Sequence, residues 1–296
     1  MCRFVYYQGA LITVGSLVTE PRNSLIHQSF DNEERVEPLN GDGFGIAWYA
    51  PRFGPEPAQF RSISPAWNNQ NLRHLARVTE SHTILSHIRA ASPGLPVTQL
   101  NCHPFVWQNL AFMHNGFIAG FQKTRRAMLE GLSDPAYHAV LGSTDSEAIF
   151  GVAIQHYLEI QDQEIEDPTP MERLATALRR AVEHTEALRR DAGIDEPSFL
   201  NLVLSDGQRA AITRYVSADP EQATDPERAN SLYVHSGRRY ICLDGICEMV
   251  DPAHYQEAVI VSSERLSDDE GWRRVEPNTM LTVNSDLTVE SVPLEV

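Results

Sequence analysis

The hydrophobic pattern of this chain changes period twice, and the order of those changes limits the folds open to it. Residues 2–8 are rich in β-branched and aromatic types up to Gly9, the composition of a strand. Further strands are expected at 44–49, behind the Gly41-Asp42-Gly43 turn, at 83–88 and at 110–113. Between them, 69–80 has helical spacing, with Leu72, Leu75 and Ala76 on one face. Two stretches then have the form of a capping box: Thr144-Asp145-Ser146-Glu147 and Thr169-Pro170-Met171-Glu172. The second opens a helix with Leu174, Leu178, Val182 and Leu188 along one face and Gly193 beyond its end. From 198 the strand pattern returns, at 199–204, 209–216, 231–235, 258–262 and 279–292. Turns are expected at Asp206-Gly207, Ser236-Gly237 and Asn284-Ser285-Asp286. Strands, two helices and strands again predict an α+β layered fold with mainly antiparallel sheets, against a doubly wound parallel one. Residues 11–30 read as irregular, the proline-rich 51–57 as a surface loop, and the acidic 159–168 as a solvated linker.

Composition removes several function classes. The net charge of −16 argues against nucleic acid or an anionic membrane as partner. Lys123 is the only lysine, which leaves little room for Schiff-base or P-loop chemistry. No apolar run is long enough to span a bilayer and no signal peptide is visible, so the expected location is cytoplasmic. Four cysteines in 296 residues do not make a disulfide framework. Cys242 and Cys247 lack a second pair or a histidine cluster at zinc spacing and are read as ordinary thiols.

The candidate chemistry begins at Met1-Cys2-Arg3. Loss of Met1 would give one residue both a nucleophile, the thiol, and a base, the α-amino group. A thiol with a pKa of about 8.5 needs such a base near neutral pH. A strand behind Cys2 would also hold it better than a frayed end does. Arg89 ends an expected strand and can grip a carboxylate bidentately, or pair with a surface acid. Asn115-Gly116 is either a turn pair or an oxyanion hole made of a side-chain amide and a backbone N–H. Asp145 is either a helix-start carboxylate or the holder of a substrate ammonium. His103 and His114 could be structural or could line such a site.

Taken together and in this order, these stretches resemble the class II glutamine amidotransferases, a branch of the N-terminal-nucleophile hydrolases. The resemblance rests on Met1-Cys2-Arg3, Gly43-Phe44-Gly45-Ile46-Ala47, His87-Ile88-Arg89-Ala90-Ala91-Ser92, Asn101-Cys102-His103-Pro104-Phe105, His114-Asn115-Gly116 and Ser143-Thr144-Asp145-Ser146-Glu147. It implies Cys2 as nucleophile, Asn115 and Gly116 as oxyanion hole, Arg89 on the substrate α-carboxylate and Asp145 on its α-ammonium. His103 and His114 are placed with the substrate-binding residues, and no metal or cofactor is implied. The implied fold is the four-layer α/β/β/α sandwich, one domain over 1–296, with its motifs in 1–150 and the remainder completing the sheets. Asn23 to Phe30, Asn40 to Gly45, Pro65 to Leu72 and Gly142 to Glu147 resemble a sub-branch linked to glutathione degradation in yeast, and more distantly a γ-glutamyl hydrolase of ergothioneine biosynthesis.

Two departures bear on function. Ala90 stands where amidotransferase domains fused to synthases usually carry tryptophan, and 150–296 is too short for a synthase domain. The expected activity is therefore cysteine-dependent hydrolysis of a γ-glutamyl amide, in glutamine or a compound such as glutathione. The alternatives are a glutaminase subunit passing ammonia to a synthase partner and a silent glutamine-binding regulator. A peptidase or synthase subunit is the partner the resemblance allows.

Overall fold

The computed structural model describes residues 2–31, 39–91, 96–162, 168–217, 230–243, 245–252 and 256–296. The chain opens with β1 (Arg3–Thr13), two short helices α1 (Gly15–Val18) and α2 (Leu25–Gln28), and strands β2 (Phe44–Tyr49) and β3 (Pro57–Ser62). Then come α3 (Gln70–Val78), β4 (Glu80–Ile88), β5 (Phe105–Trp107), β6 (Leu110–Phe117), α4 (Phe121–Glu130), α5 (Asp134–His138), α6 (Asp145–Asp162) and α7 (Pro170–Asp191). The last third is mostly strand. It comprises β7 (Phe199–Ser205), β8 (Ala210–Val216), β9 (Tyr233–Gly237), β10 (Arg239–Leu243), β11 (Ile246–Val250), β12 (Ala258–Ser262), β13 (Arg273–Arg274), β14 (Thr279–Val283) and β15 (Val289–Pro293).

Two antiparallel sheets organise these elements. One has the order β13-β9-β12-β1-β4-β2-β3, the other β15-β14-β8-β7-β6-β5, and β10 and β11 form a separate hairpin. Side chains alternate between the faces of a strand, so each sheet divides its residues between two cores. Phe4 and Tyr6 of β1, Leu85 of β4 and Val259 and Val261 of β12 point between the sheets, where they meet Met113 of β6 and Val203 of β7. Val5 and Tyr7, Ile84 and Ile88, and Ala258 and Ile260 point outward, under Leu17, Leu25 and Leu72 of α1–α3 and Tyr240 and Met249 of the hairpin. On the second sheet, Phe112, Leu200, Leu202 and Leu204 face out instead, against Ile149, Val152 and Ala153 of α6 and Leu174, Leu178 and Val182 of α7. The result is helix, sheet, sheet, helix, as the resemblance implied.

Both capping boxes form. Thr169 accepts the Glu172 N–H while the Glu172 carboxylate accepts the Thr169 N–H, with Pro170 at the first turn. At α6, Thr144 Oγ1 accepts the Glu147 N–H at 3.2 Å, and Glu147 Oε2 accepts the Thr144 N–H at 3.5 Å, while Oε1 takes the Gly142 N–H at 2.7 Å. Several expectations are corrected. Residues 11–30 hold the end of β1 and two short helices, and the expected loop runs into β3 at Pro57, an edge strand that tolerates the missing N–H. Helices α4 and α5 lacked a recognised start signal. Ser236 and Gly237 belong to β9, paired with Val259 and Ala258, so they are not a turn. The acidic linker begins later than expected, because α6 continues to Asp162; its middle, 163–167, lies outside the described residues. Cys242 and Cys247 are not free thiols: the β10–β11 hairpin sets them directly opposite each other, and they are disulfide-bonded. No described helix is long and apolar enough to cross a membrane.

One polar cluster holds the margin of the first sheet. Asp269 accepts from His235 Nε2 of β9 and from the Met249 N–H of β11, both at 2.8 Å, and from Ser267 Oγ. Burial alone would raise its pKa, but these donors outweigh that and hold the carboxyl at about 2. A carboxylate with a depressed folded pKa stabilises the fold above its ordinary value of 3.8, and the contribution disappears as pH falls toward 2. Asp269→Asn is expected to cost about 1 kcal/mol near neutral pH, after discounting for its partial exposure. Thermal melts of both proteins should show that gap narrowing below about pH 4. A gap independent of pH would mean that the carboxylate charge contributes nothing.

Candidate active site

Antiparallel pairing of Arg3 with Ile88 puts Cys2, one residue ahead of β1, level with Arg89, one residue past β4. By strand alternation Cys2 shares the face of Phe4 and Tyr6, and Arg89 that of Leu85 and His87. Both therefore point into the space between the sheets. Cys2 is half-buried, and its thiol donates to the Ala90 carbonyl at 3.6 Å. Burial pushes the thiol pKa up, and the nearby charges of Arg89 and Arg3 pull it down without overcoming burial. At neutral pH the sulfur thus keeps its proton, and a thiol in that state needs a base before it can act as a nucleophile.

Arg89 is fixed by its main chain, whose N–H donates to the Gly43 carbonyl at 2.8 Å and whose carbonyl accepts the Asp42 N–H at 3.1 Å. Asp42 Oδ2 also accepts the Ala91 N–H at 2.8 Å. The guanidinium is buried; Nη2 only just reaches the Pro96 carbonyl, at 3.5 Å, and Nη1 has no partner among the described residues. A buried donor without an acceptor is unfavourable and is relieved by an anionic ligand. Gly43 is close by, with φ +114°, and a Cβ there would stand 2.7 Å from both Cys102 Sγ and the Ser62 carbonyl.

Asn115 and Gly116 lie inside β6, opposite Asn201 and Leu200 of β7, so they are not the free turn that one reading of the pair allowed. Asn115 faces the first sheet. Its Nδ2 donates to Ser263 Oγ at 3.1 Å, its carbonyl accepts from Asn230 Nδ2 at 3.0 Å, and its Oδ1 has no partner among the described residues. At Gly116 φ is +155°, and a Cβ would sit 1.7 Å from the Phe199 carbonyl oxygen, so only glycine fits.

Asp145 opens α6. Its Oδ2 accepts the Ile118 N–H at 2.9 Å and its Oδ1 the Ser146 N–H at 2.9 Å, tying the helix start to the end of β6. Asn101 links this segment to the arginine: Nδ2 donates to the Pro96 carbonyl at 3.0 Å and Oδ1 accepts the Ser143 N–H at 3.1 Å. The two substrate-anchor candidates are therefore joined through one buried amide.

The histidines separate into two kinds. His114 points toward the helical layer, with Nε2 on the Phe199 carbonyl at 3.0 Å and Nδ1 on Ser146 Oγ at 2.9 Å. A carbonyl can only accept, so Nε2 carries the proton and Nδ1 accepts from the serine. Both nitrogens are used by the protein itself, which removes His114 from the expected substrate contacts and makes it a brace for α6. His103 remains available: it is buried 4.2 Å from the His87 ring and 4.3 Å from Phe105, and neither ring nitrogen has a partner among the described residues. Burial holds both rings neutral, pushing His87 down to about 3 and His103 well below its ordinary value. Among the described residues no group of three or more His, Cys, Asp and Glu is placed to hold a metal ion.

Sequence reasoning gave no role to Arg3, Asn101, Asn230, Ser263 or Glu264. Arg3 is fully buried, ion-paired through Nε with Glu264, and its Nη1 donates to the Cys2 carbonyl at 3.0 Å. A charged residue at the head of a largely apolar strand was the available signal; its glutamate partner lies too far away in sequence to be paired with it.

Two face-to-face antiparallel sheets between helical layers, with a cysteine leading a central strand and an Asn-Gly pair facing it, define a sandwich of the N-terminal-nucleophile type. The chain belongs to the class II glutamine amidotransferases, whose family model matches residues 19–219. That match takes in Arg89, His103, Asn115, Gly116 and Asp145 but begins after Cys2. The chain is 33% identical over 96% of its length, and 82% of the relative's, to the "probable glutamine amidotransferase DUG3" of Saccharomyces cerevisiae. It is 32% identical over 40% of its length to the "gamma-glutamyl-hercynylcysteine sulfoxide hydrolase" of Mycobacterium tuberculosis, covering half of that enzyme. Among solved structures, a "glutamine aminotransferase class-II domain protein" from Silicibacter pomeroyi superimposes over the whole of both chains, with TM-score 0.65 and 28% identity.

Proposed function

We propose that this protein is a cysteine amidohydrolase that cleaves the γ-glutamyl amide bond of glutamine, or of a γ-glutamyl compound such as glutathione. The observation that most supports this reading is the placement of Cys2 level with Arg89 at one sheet end, just beyond the Arg3–Ile88 pair, the arginine buried with an Nη1 that has no partner among the described residues. A free α-carboxylate on Arg89 and an α-ammonium on Asp145 would leave the γ-carbonyl, several bonds further along, to reach the sulfur. With Met1 removed, the α-amino group of Cys2 takes the thiol proton and the sulfur attacks that carbonyl. The oxygen gains charge against the Asn115 amide and the Gly116 N–H. The C–N bond then breaks, and the amine leaves with the proton held by the α-amino group. A γ-glutamyl thioester remains on Cys2. Water adds to it, giving its proton to the α-amino group, and glutamate departs as the thiol is restored.

All of 1–296 acts as one domain in this reading, supported by the core that both sheets share. The names of the two relatives divide the finer possibilities. An amidotransferase over nearly the whole chain favours release of ammonia, with a partner subunit as acceptor; a hydrolase over 40% of the chain favours a γ-glutamyl peptide bond. Glutamate release from glutamine and from glutathione, assayed on protein whose intact mass shows loss of Met1, tests both. The expected result is glutamate from at least one, with ammonia or Cys-Gly in equal amount. Glutamate from neither sinks the reading.

A further inference from the structure

The described cavities are not lined by Cys2, Arg89, Asn115 or Asp145, and the exposed apolar residues near the site loops have nothing in the structure to say what covers them. The informative feature is instead a buried serine. Strand β12 lies beside β1, on the side away from β4, and the chain leaves it through Ser263 and Glu264. By alternation these two point to opposite faces. Glu264 goes outward to Arg3, while Ser263 points between the sheets. Ser263 Oγ accepts two N–H groups, from Phe4 at 3.1 Å and from Asn115 Nδ2 at 3.1 Å. Its main chain is fixed as well: the N–H donates to the Phe4 carbonyl at 3.1 Å, and its carbonyl accepts from Ser231 Oγ at 2.8 Å. Ser263 and Asn115 are both fully buried.

Phe4 is two residues from Cys2, and Asn115 stands on the other sheet. Along most of their length the two sheets meet through apolar side chains, which are close-packed but not directional. A hydrogen bond is directional, and misplacing a catalytic group by about 1 Å can cost about 10²-fold in rate. We propose that Ser263 is a positioning residue: it anchors the Asn115 amide to the strand that carries Cys2, so that nucleophile and oxyanion donor keep one geometry across the sheet interface. The inference rests on the reading of Cys2 and Asn115 given above. Ser263 touches neither substrate nor sulfur in this scheme and acts only through the amide.

The test uses full-length protein with Met1 removed, assayed for glutamate release from whichever amide the wild type cleaves. Ser263→Ala is expected to lower kcat about tenfold and leave KM within about twofold, because Arg89 and Asp145 keep their contacts. In an Asn115→Ala background the same substitution should have no further effect on kcat, since the group it positions is gone. Ser263→Thr, which keeps the hydroxyl, should recover most of the loss. An equal fall in both backgrounds, an unchanged kcat in Ser263→Ala or a loss confined to KM overturns the proposal. Should Ser263→Ala not fold, Ser263→Cys, of similar shape but a weak acceptor, is put through the same cycle. A wild type that releases no glutamate overturns the reaction itself, a result distinct from an active wild type with additive variants.

Discussion

Cys2→Ala is expected to abolish glutamate release while leaving the fold intact. Cys2 precedes β1 and takes no part in its ladder, and the replacement removes only a half-buried sulfur whose one hydrogen bond, to Ala90, is long. No second described thiol can substitute, because Cys102 is buried against the Ser62 and Thr98 carbonyls and Cys242 and Cys247 are bonded to each other. The same loss is expected when Cys2 is kept but placed behind an uncleavable N-terminal extension. There the α-amino group is tied up in a peptide bond, and burial has already moved the thiol pKa upward, so nothing takes the proton. Two measurements check this: glutamate release, and intact mass after incubation with substrate. The extended protein should release none and carry no adduct. Activity surviving either change removes Cys2 and its amine from the mechanism. The sign of the thiol shift also predicts that kcat/KM rises through the neutral range toward the α-amino pKa of about 8, and does not fall there.

Asn115→Ala is expected to reduce kcat by about 10²–10³, with KM for the amide changed little. The substitution deletes the proposed oxyanion donor but leaves the backbone position, because the Asn115 carbonyl is still held by Asn230 and the β6–β7 ladder is untouched. Stability should fall by about 1–3 kcal/mol, since Ser263 loses a buried partner. Steady-state kinetics with a thermal melt separates the two effects. Turnover near that of the wild type, in a protein that melts normally, would falsify the oxyanion assignment.

Some of the candidate residues could be placed from sequence because they sit where a periodic element begins or ends. Arg89 follows a strand of alternating apolar residues, and Asp145 stands inside a capping box whose threonine and glutamate both act as expected. Those are local rules, set by backbone geometry within a few residues. What local rules leave open or miss has a common origin too. Asn115-Gly116 allows either a turn or an oxyanion pair in isolation, and pairing with β7 excludes the turn. His114 stands next to Asn115, but alternation turns it to the other face and into contact with Ser146 and Phe199. Cys242 and Cys247 have the spacing of nothing in particular until a hairpin closes between them.

By itself, the sequence determined the class of fold, the motif residues, and the dependence of the expected chemistry on losing Met1. Period and turn chemistry are encoded within a few residues, and the motifs are recognisable in order. Only the tertiary structure decided which of those residues share a face, and which buried polar groups hold them there. Arg3 and Glu264, Asn115 and Ser263, and Asn101 and Ser143 are each separated by long stretches of chain, and burial makes every such pair obligatory. No local signal specifies a partner of that kind. It is chosen when the fold brings distant segments together and sets a buried donor beside an acceptor.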